Sequence, residues 1–153
     1  MLYREQPADF KTTTVAVATM VECQGKLLFL RRHPERRYPG KWGCAGGKLE
    51  LGETVVEGAI RELREETGII AVPSSLIYCG QRFVRYPNDQ DFIYHQFWLP
   101  LKREPRLHLN LREHDQFVWV PREEAAQVGY LGEPDDILEC LRMIPAVKVD
   151  LLQ

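Results

Sequence analysis

The chain predicts a single layered α/β domain, a mixed β-sheet covered by helices, and three observations carry that prediction. Strand-like segments outnumber helical ones along its 153 residues. One clearly capped helix lies near the middle, and the length falls within the roughly 100–200 residues of one domain. Hydrophobic residues make up 44% and charged residues 27%, a globular balance rather than a disordered or fibrous one. Residues 1–153 are therefore read as one domain.

Each element has its own signal. Residues 12–23 are rich in Thr and Val and read as a strand. Gln24-Gly25 turns the chain into a second apolar strand, residues 26–31. From 33 to 47, Pro34, Pro39, Gly40, Gly43, Gly46 and Gly47 mark a segment dominated by loop. A helix follows over residues 55–67. Thr54 and Glu57 form a T-x-x-E capping box at its start, and Gly68 suits a left-handed cap at its end. Strands over 76–85 and 92–101 flank Tyr86-Pro87-Asn88-Asp89-Gln90-Asp91, a stretch with strong turn chemistry. Residues 117–120 form a short strand and Pro121 opens a short helix. Pro134-Asp135-Asp136 opens the last helix, with Ile137, Leu138 and Leu141 on one side.

A formal net charge of −2 argues against wholesale binding to nucleic acid or to a membrane, so anion binding has to come from a local cluster. Residues 1–11 lack the apolar stretch of a signal peptide, and nothing approaches the ~20 apolar residues that span a bilayer. A cytoplasmic protein is the expectation. Cys23, Cys44, Cys79 and Cys140 are scattered with no C-x-x-C pair, which favours free thiols over a zinc or redox motif.

The chemistry concentrates on the central helix. At about 100° per residue, Val56, Ala59, Ile60, Leu63 and Thr67 form a core-facing stripe. Glu62, Glu65 and Glu66 stand at i, i+3 and i+4, so their carboxylates crowd one patch beside it. Like charges at that spacing destabilise a helix by about 0.2–0.5 kcal/mol without a counter-charge. Arg61 and Arg64 offset part of the repulsion, and a Glu/Arg-rich helix is commonly just a solvated face. Three carboxylates are also hard oxygen ligands, which a divalent cation such as Mg²⁺ turns from repulsion into binding.

The wider spacing decides between these. Residues 47–69, GKLELGETVVEGAIRELREETGI, fit G-x5-E-x7-R-E-U-x-E-E-x-G-U (U aliphatic) at Gly47, Glu53, Arg61, Glu62, Leu63, Glu65, Glu66, Gly68 and Ile69. That pattern is the Nudix box, and the chain resembles the MutT-like members of the Nudix hydrolase family. The resemblance implies a Nudix fold, a mixed sheet sandwiched between helices. It also implies Mg²⁺-dependent hydrolysis, with Mn²⁺ as a substitute, of a nucleoside diphosphate linked to another moiety. A nucleoside triphosphate, possibly oxidised as in 8-oxo-dGTP, cut to monophosphate and pyrophosphate is the leading case. Carried over residue by residue, Gly47 offers a backbone carbonyl to the metal, and Glu65 and Glu66 ligate it. Glu62 ligates metal or deprotonates the attacking water. Arg61 holds the glutamates in place, and Glu53 reaches the metal cluster from the loop. The metal neutralises diphosphate oxygens and lowers the pKa of bound water. In one departure, Ala45-Gly46-Gly47 stands where the family often has Pro-Gly-Gly.

Outside the box, Glu113 is the candidate for a further loop-borne metal ligand, because the stretch from Glu113 to Val120 resembles the family's E-x5-W-V. Arg31, Arg32 and Lys48, with Arg36, Arg37 and Lys41 between them, make a basic run suited to polyphosphate. Phe83, Tyr86, Tyr94, Phe97 and Trp119 are the aromatics that could stack a base, most of them expected in the core, and Tyr86 and Trp119 are taken as the substrate-binding candidates. His95 is expected as a hydrogen-bonded strand residue. Tyr86 lies 17 residues beyond Ile69, the spacing of a dinucleoside-polyphosphate signature. That substrate, a nucleotide sugar and a non-catalytic nucleotide- or RNA-binding module are therefore the alternatives. The partner expected is a small-molecule nucleotide, with monomer and homodimer both open.

Overall fold

Strand alternation and one buried stripe per helix place two apolar clusters on opposite faces of a mixed sheet. The computed structural model describes residues 1–12, 14–86, 90–132 and 134–146. In chain order the elements are β1 (Leu2–Tyr3), β2 (Val15–Cys23), β3 (Lys26–Arg32), β4 (Trp42–Gly43), β5 (Ala45–Lys48), α1 (Val55–Thr67), a 3-10 turn (Pro73–Ser75), β6 (Ile77–Tyr86), β7 (Gln90–Leu101), β8 (His114–Pro121), a second 3-10 turn (Arg122–Gln127) and α2 (Pro134–Met143). The sheet runs β1-β6-β7-β2-β3-β4, with β5 added on β2 and β8 on β3. The β2–β7 pair is parallel from Val15↔Ile93 to Cys23↔Leu101, while β2–β3 and β6–β7 are antiparallel. The mixed sheet between helices expected from the sequence is what the chain forms.

On the α1 face, Val17, Val21, Leu28, Leu30, Ala59, Leu63, Phe97 and Leu99 pack together. On the other, Met20, Leu27, Phe29, Val84, Tyr94, Trp98, Ile137 and Cys140 pack under α2. The bounds of α1 follow from its caps. The Thr54 side chain accepts from the Glu57 amide, Glu57 returns a bond from the Thr54 amide, and Gly68 closes the helix at φ 76°. Gln24 and Gly25 both take positive φ, 51° and 74°, which makes the two-residue hairpin between β2 and β3.

Two expectations are corrected. The segment 33–47 is not loop alone, because β4 and β5 lie within it. β5 pairs Ala16↔Lys48 to Thr19↔Ala45, and a Cβ on Gly46 would collide with Val17 O and Ala18. The glycines that read as loop are what let this strand lie against β2. The helix expected from Pro121 is a 3-10 turn. Within the turn expected over residues 86–91, Pro87, Asn88 and Asp89 lie outside the described residues. All four cysteines are free. Among the described residues no helix is long and apolar enough to cross a membrane.

Candidate active site

The site begins where β2 and β3 part. They pair only at Glu22↔Leu27 and Cys23↔Lys26. β3 carries β8 on its other edge from Lys26 to Arg32, and β5 takes over the edge of β2 from Ala16 to Thr19. The divergence opens a cavity of about 590 Å³ whose walls include Ala16, Ala18, Cys44, Gly46, Gly47 and Tyr94.

Packed under Gly46 and Gly47 is the acidic patch of α1. The buried stripe of the helix carries Glu62 and Glu66 inward with Ala59 and Leu63, leaving them 9% and 7% exposed. A Cβ on Gly47 would meet the Glu62 carboxylate, so only glycine admits this approach. Glu66 Oε2 accepts from the Gly46 amide at 2.9 Å. Burial pushes the Glu66 carboxyl well above its ordinary pKa, and the charges of Glu62 and Glu113 push it further. Burial also raises Glu62, against the pull of Arg61.

Arg61 organises the rest. It donates to Glu53 at 2.6 and 3.0 Å, to Glu62 at 2.9 Å, to Glu65 at 3.1 Å and to the Lys48 carbonyl at 3.0 Å. This fork ties the loop before α1 to the helix, and its bonds hold the Glu53 carboxyl below its ordinary range. Glu65 is half-exposed. Among the described residues no three His, Cys, Asp or Glu side chains converge closely enough to cage an ion by themselves. The second oxygens of Glu62 and Glu66 have no hydrogen-bond partner among the described residues. Carboxylate oxygens left free by protein donors are hard ligands, the chemistry that suits Mg²⁺ or Mn²⁺.

Of the basic run, Arg32 and Lys48 border the cavity together with Arg37 and Lys11. Tyr86 also stands in the wall, against Tyr38 at a ring separation of 5.6 Å, and burial pushes its hydroxyl up to about 12. Glu113 is paired with Arg36 at 2.8 Å, close enough to Glu66 to act on it electrostatically. Two expected substrate residues are not brought to the cavity. Arg31 is clamped by Asp115 at 2.8 and 3.0 Å and lies over Trp42. Trp119 is packed against the α1-side core. Arg31 and Trp119 fall on opposite faces of the β3–β8 ladder, and each is held by its own neighbours there.

Other wall residues were not singled out from the sequence. Tyr38 sits at φ 57° in the loop before β4, an unusual conformation for an aromatic residue. Tyr130 arrives through an isolated bridge with Trp42. Leu2 and Cys140 come from the N-terminal strand and α2. His114, at the start of β8, is buried in the wall, and burial beside Arg32 pushes its imidazole down to about 4. No local pattern in the sequence marks these residues, since long-range packing assembles them.

A cluster of α1 carboxylates thus lies behind Gly46 and Gly47, next to a cavity bordered by arginine, lysine and tyrosine side chains. The NUDIX domain family model matches residues 11–139. The chain is 32% identical over 134 residues to the CTP pyrophosphohydrolase of Escherichia coli (strain K12), covering 86% of this chain and 93% of that protein. It is 35% identical over 122 residues to the phosphatase NudJ of Escherichia coli (strain K12), covering 78% of this chain and 76% of that one. Among solved structures, the MutT protein from Methanosarcina mazei Go1 superposes with a TM-score of 0.72 at 27% identity, covering 84% of this chain and 92% of that one. The chain belongs to the Nudix family.

Proposed function

We propose that this chain is a Mg²⁺- or Mn²⁺-dependent Nudix hydrolase that cuts a nucleoside triphosphate into nucleoside monophosphate and pyrophosphate. The observation that carries the proposal is the buried Glu62–Glu66 pair, packed against Gly46 and Gly47, two glycines that line a cavity together with Arg32, Arg37 and Lys48. The Escherichia coli relative named CTP pyrophosphohydrolase supports a triphosphate substrate.

Glu65, Glu66 and the Gly47 carbonyl would hold the cation, with Glu113 joining on release from Arg36. When bound, the cation neutralises diphosphate oxygens and acidifies water. Arg61 keeps Glu53, Glu62 and Glu65 in register, so the carboxylates do not splay apart. Glu62, its affinity for a proton raised by burial, is the group to take the proton from the attacking water. Arg32, Arg37 and Lys48 grip the outer phosphates, and Tyr86 with Tyr38 offers aromatic surface to the base. Attack at the β-phosphorus expels nucleoside monophosphate and leaves the new oxygen in pyrophosphate.

The test is a nucleotide panel read by phosphate release with added pyrophosphatase, run in ¹⁸O-water. Triphosphate cleavage with label only in pyrophosphate is expected. Label confined to the monophosphate overturns the substrate orientation. Cleavage of diadenosine polyphosphates but of no triphosphate moves the function to the dinucleoside-polyphosphate alternative.

A further inference from the structure

Among the described residues, three buried side-chain atoms have no hydrogen-bond partner: Thr19 Oγ1, His114 Nδ1 and Trp119 Nε1. Unpaired buried polar atoms are uncommon because they forfeit their hydration with nothing in return. Each therefore needs an explanation. Thr19 and Trp119 lie outside the cavity wall, and Trp119 packs against the α1-side core. His114 alone of the three borders the cavity, with only 4% of its surface exposed.

The backbone holds this ring in place. His114 donates its amide to Asn110 O at 2.9 Å and pairs with Arg32 across the β3–β8 ladder, at an irregularity between Arg31 and Arg32. Residues paired across strands present their side chains to the same face. An imidazole is thereby set beside a cavity-lining arginine, and the two groups divide the work. The guanidinium suits a phosphate. A neutral imidazole, with one donor and one acceptor nitrogen, suits an uncharged group that both gives and takes hydrogen bonds.

We infer that His114 is a substrate-binding residue that hydrogen-bonds the nucleoside part of the nucleotide, its ring turning so that Nδ1, otherwise closed off from the cavity, meets the nucleoside when the cavity is filled. The inference rests on the proposed function. The shared chemistry is a neutral hydrogen-bonding group, supplied by either a ribose hydroxyl or the edge of the base. Lys48 and Arg32 remain the phosphate contacts.

The direct probe is the ¹⁵N resonance of the His114 ring in full-length protein, assigned by its loss in His114→Gln. Cytidine, 2′-deoxycytidine, uridine and inorganic pyrophosphate are titrated separately, with no metal added. The nucleosides should shift Nδ1 by several ppm and pyrophosphate should not. A response lost with deoxycytidine assigns the bond to the ribose. One kept with deoxycytidine but altered with uridine assigns it to the base. In parallel, His114→Phe should raise KM for nucleoside triphosphates about tenfold with kcat little changed, and His114→Gln should recover part of the loss. A ring nitrogen moved by pyrophosphate alone or by nothing, with KM unchanged in His114→Phe, overturns the inference. Should His114→Phe fail to fold, the ¹⁵N titration of the wild-type chain decides by itself. If no nucleotide in the panel is cleaved, the proposed function fails, and a nucleoside-induced shift at His114 still stands on its own.

Discussion

Glu22 and Glu66 are buried to the same degree, 4% and 7% exposed, on opposite sides of the sheet. Glu22 lies on β2 and is saturated. Arg122 donates to its two oxygens at 2.7 and 2.6 Å, and the Trp98 indole adds a bond at 3.2 Å. Glu66 lies on α1 and receives one backbone amide, while its nearest charged neighbours include two further carboxylates. A buried carboxylate with its own arginine and indole is part of the architecture. A buried carboxylate crowded by like charge and short of donors costs stability unless something cationic arrives. Under the proposed function the contrast separates an acid of the architecture from an acid of the chemistry.

The largest effect is expected on the functional side. Glu62→Gln should lower kcat by at least ~10²-fold while leaving the unfolding midpoint within a degree or two, because it removes a proton acceptor rather than packing. Steady-state kinetics with a thermal melt checks both halves, and an unchanged kcat removes Glu62 from the chemistry. Glu22→Gln should do the reverse. It should lose about 2 kcal/mol in denaturant unfolding, the scale of weakened charged hydrogen bonds, with kcat retained.

A smaller effect concerns acid. Arg4 and Arg82 hold Glu139 at 2.8 and 3.0 Å and lower its pKa from 4.5 to about 2. Folding therefore favours its ionised form. The stability it contributes is complete above pH 4.5 and is lost as pH falls toward 2. Glu139→Gln should flatten that part of a pH–stability curve, and a curve parallel to wild type would show that the pair contributes nothing. The smallest effect is expected at Trp119. Since it packs in the core, Trp119→Phe should cost about 1 kcal/mol of stability and leave KM unchanged.

The same contrast explains what was legible in the sequence. The acidic patch and both ends of α1 could be read from 23 consecutive residues because capping and helical periodicity are local, and Gly47 came from the resemblance to the Nudix box over the same stretch. The membership of Arg32, Lys48 and Tyr86 in the cavity wall could also be anticipated. The burial of Glu22 was not legible, since its partner Arg122 lies 100 residues away. β5 was hidden because glycine has no strand propensity, and the need for it arises only when Ala16–Thr19 lie alongside. Trp119 and Arg31 lie outside the cavity wall, a placement that spacing along the chain does not reveal. The cavity itself gathers Leu2, Tyr38, His114, Tyr130 and Cys140 from five separate segments, an assembly that only tertiary pairing creates.

The central claim is that Glu66 awaits a cation while Glu22 already has its own. Its most direct test is the thermal stability of wild type, Glu66→Gln and Glu22→Gln with chelator and with saturating Mg²⁺. All three should be folded in chelator, and Glu66→Gln should melt no lower than wild type, because at neutral pH it removes a charge that folding disfavours. Mg²⁺ should raise the midpoint of wild type and of Glu22→Gln by similar amounts, reversibly on chelation, as any ligand bound only by the native state does. It should leave Glu66→Gln nearly unmoved. An equal Mg²⁺ response in Glu66→Gln and wild type would contradict the account.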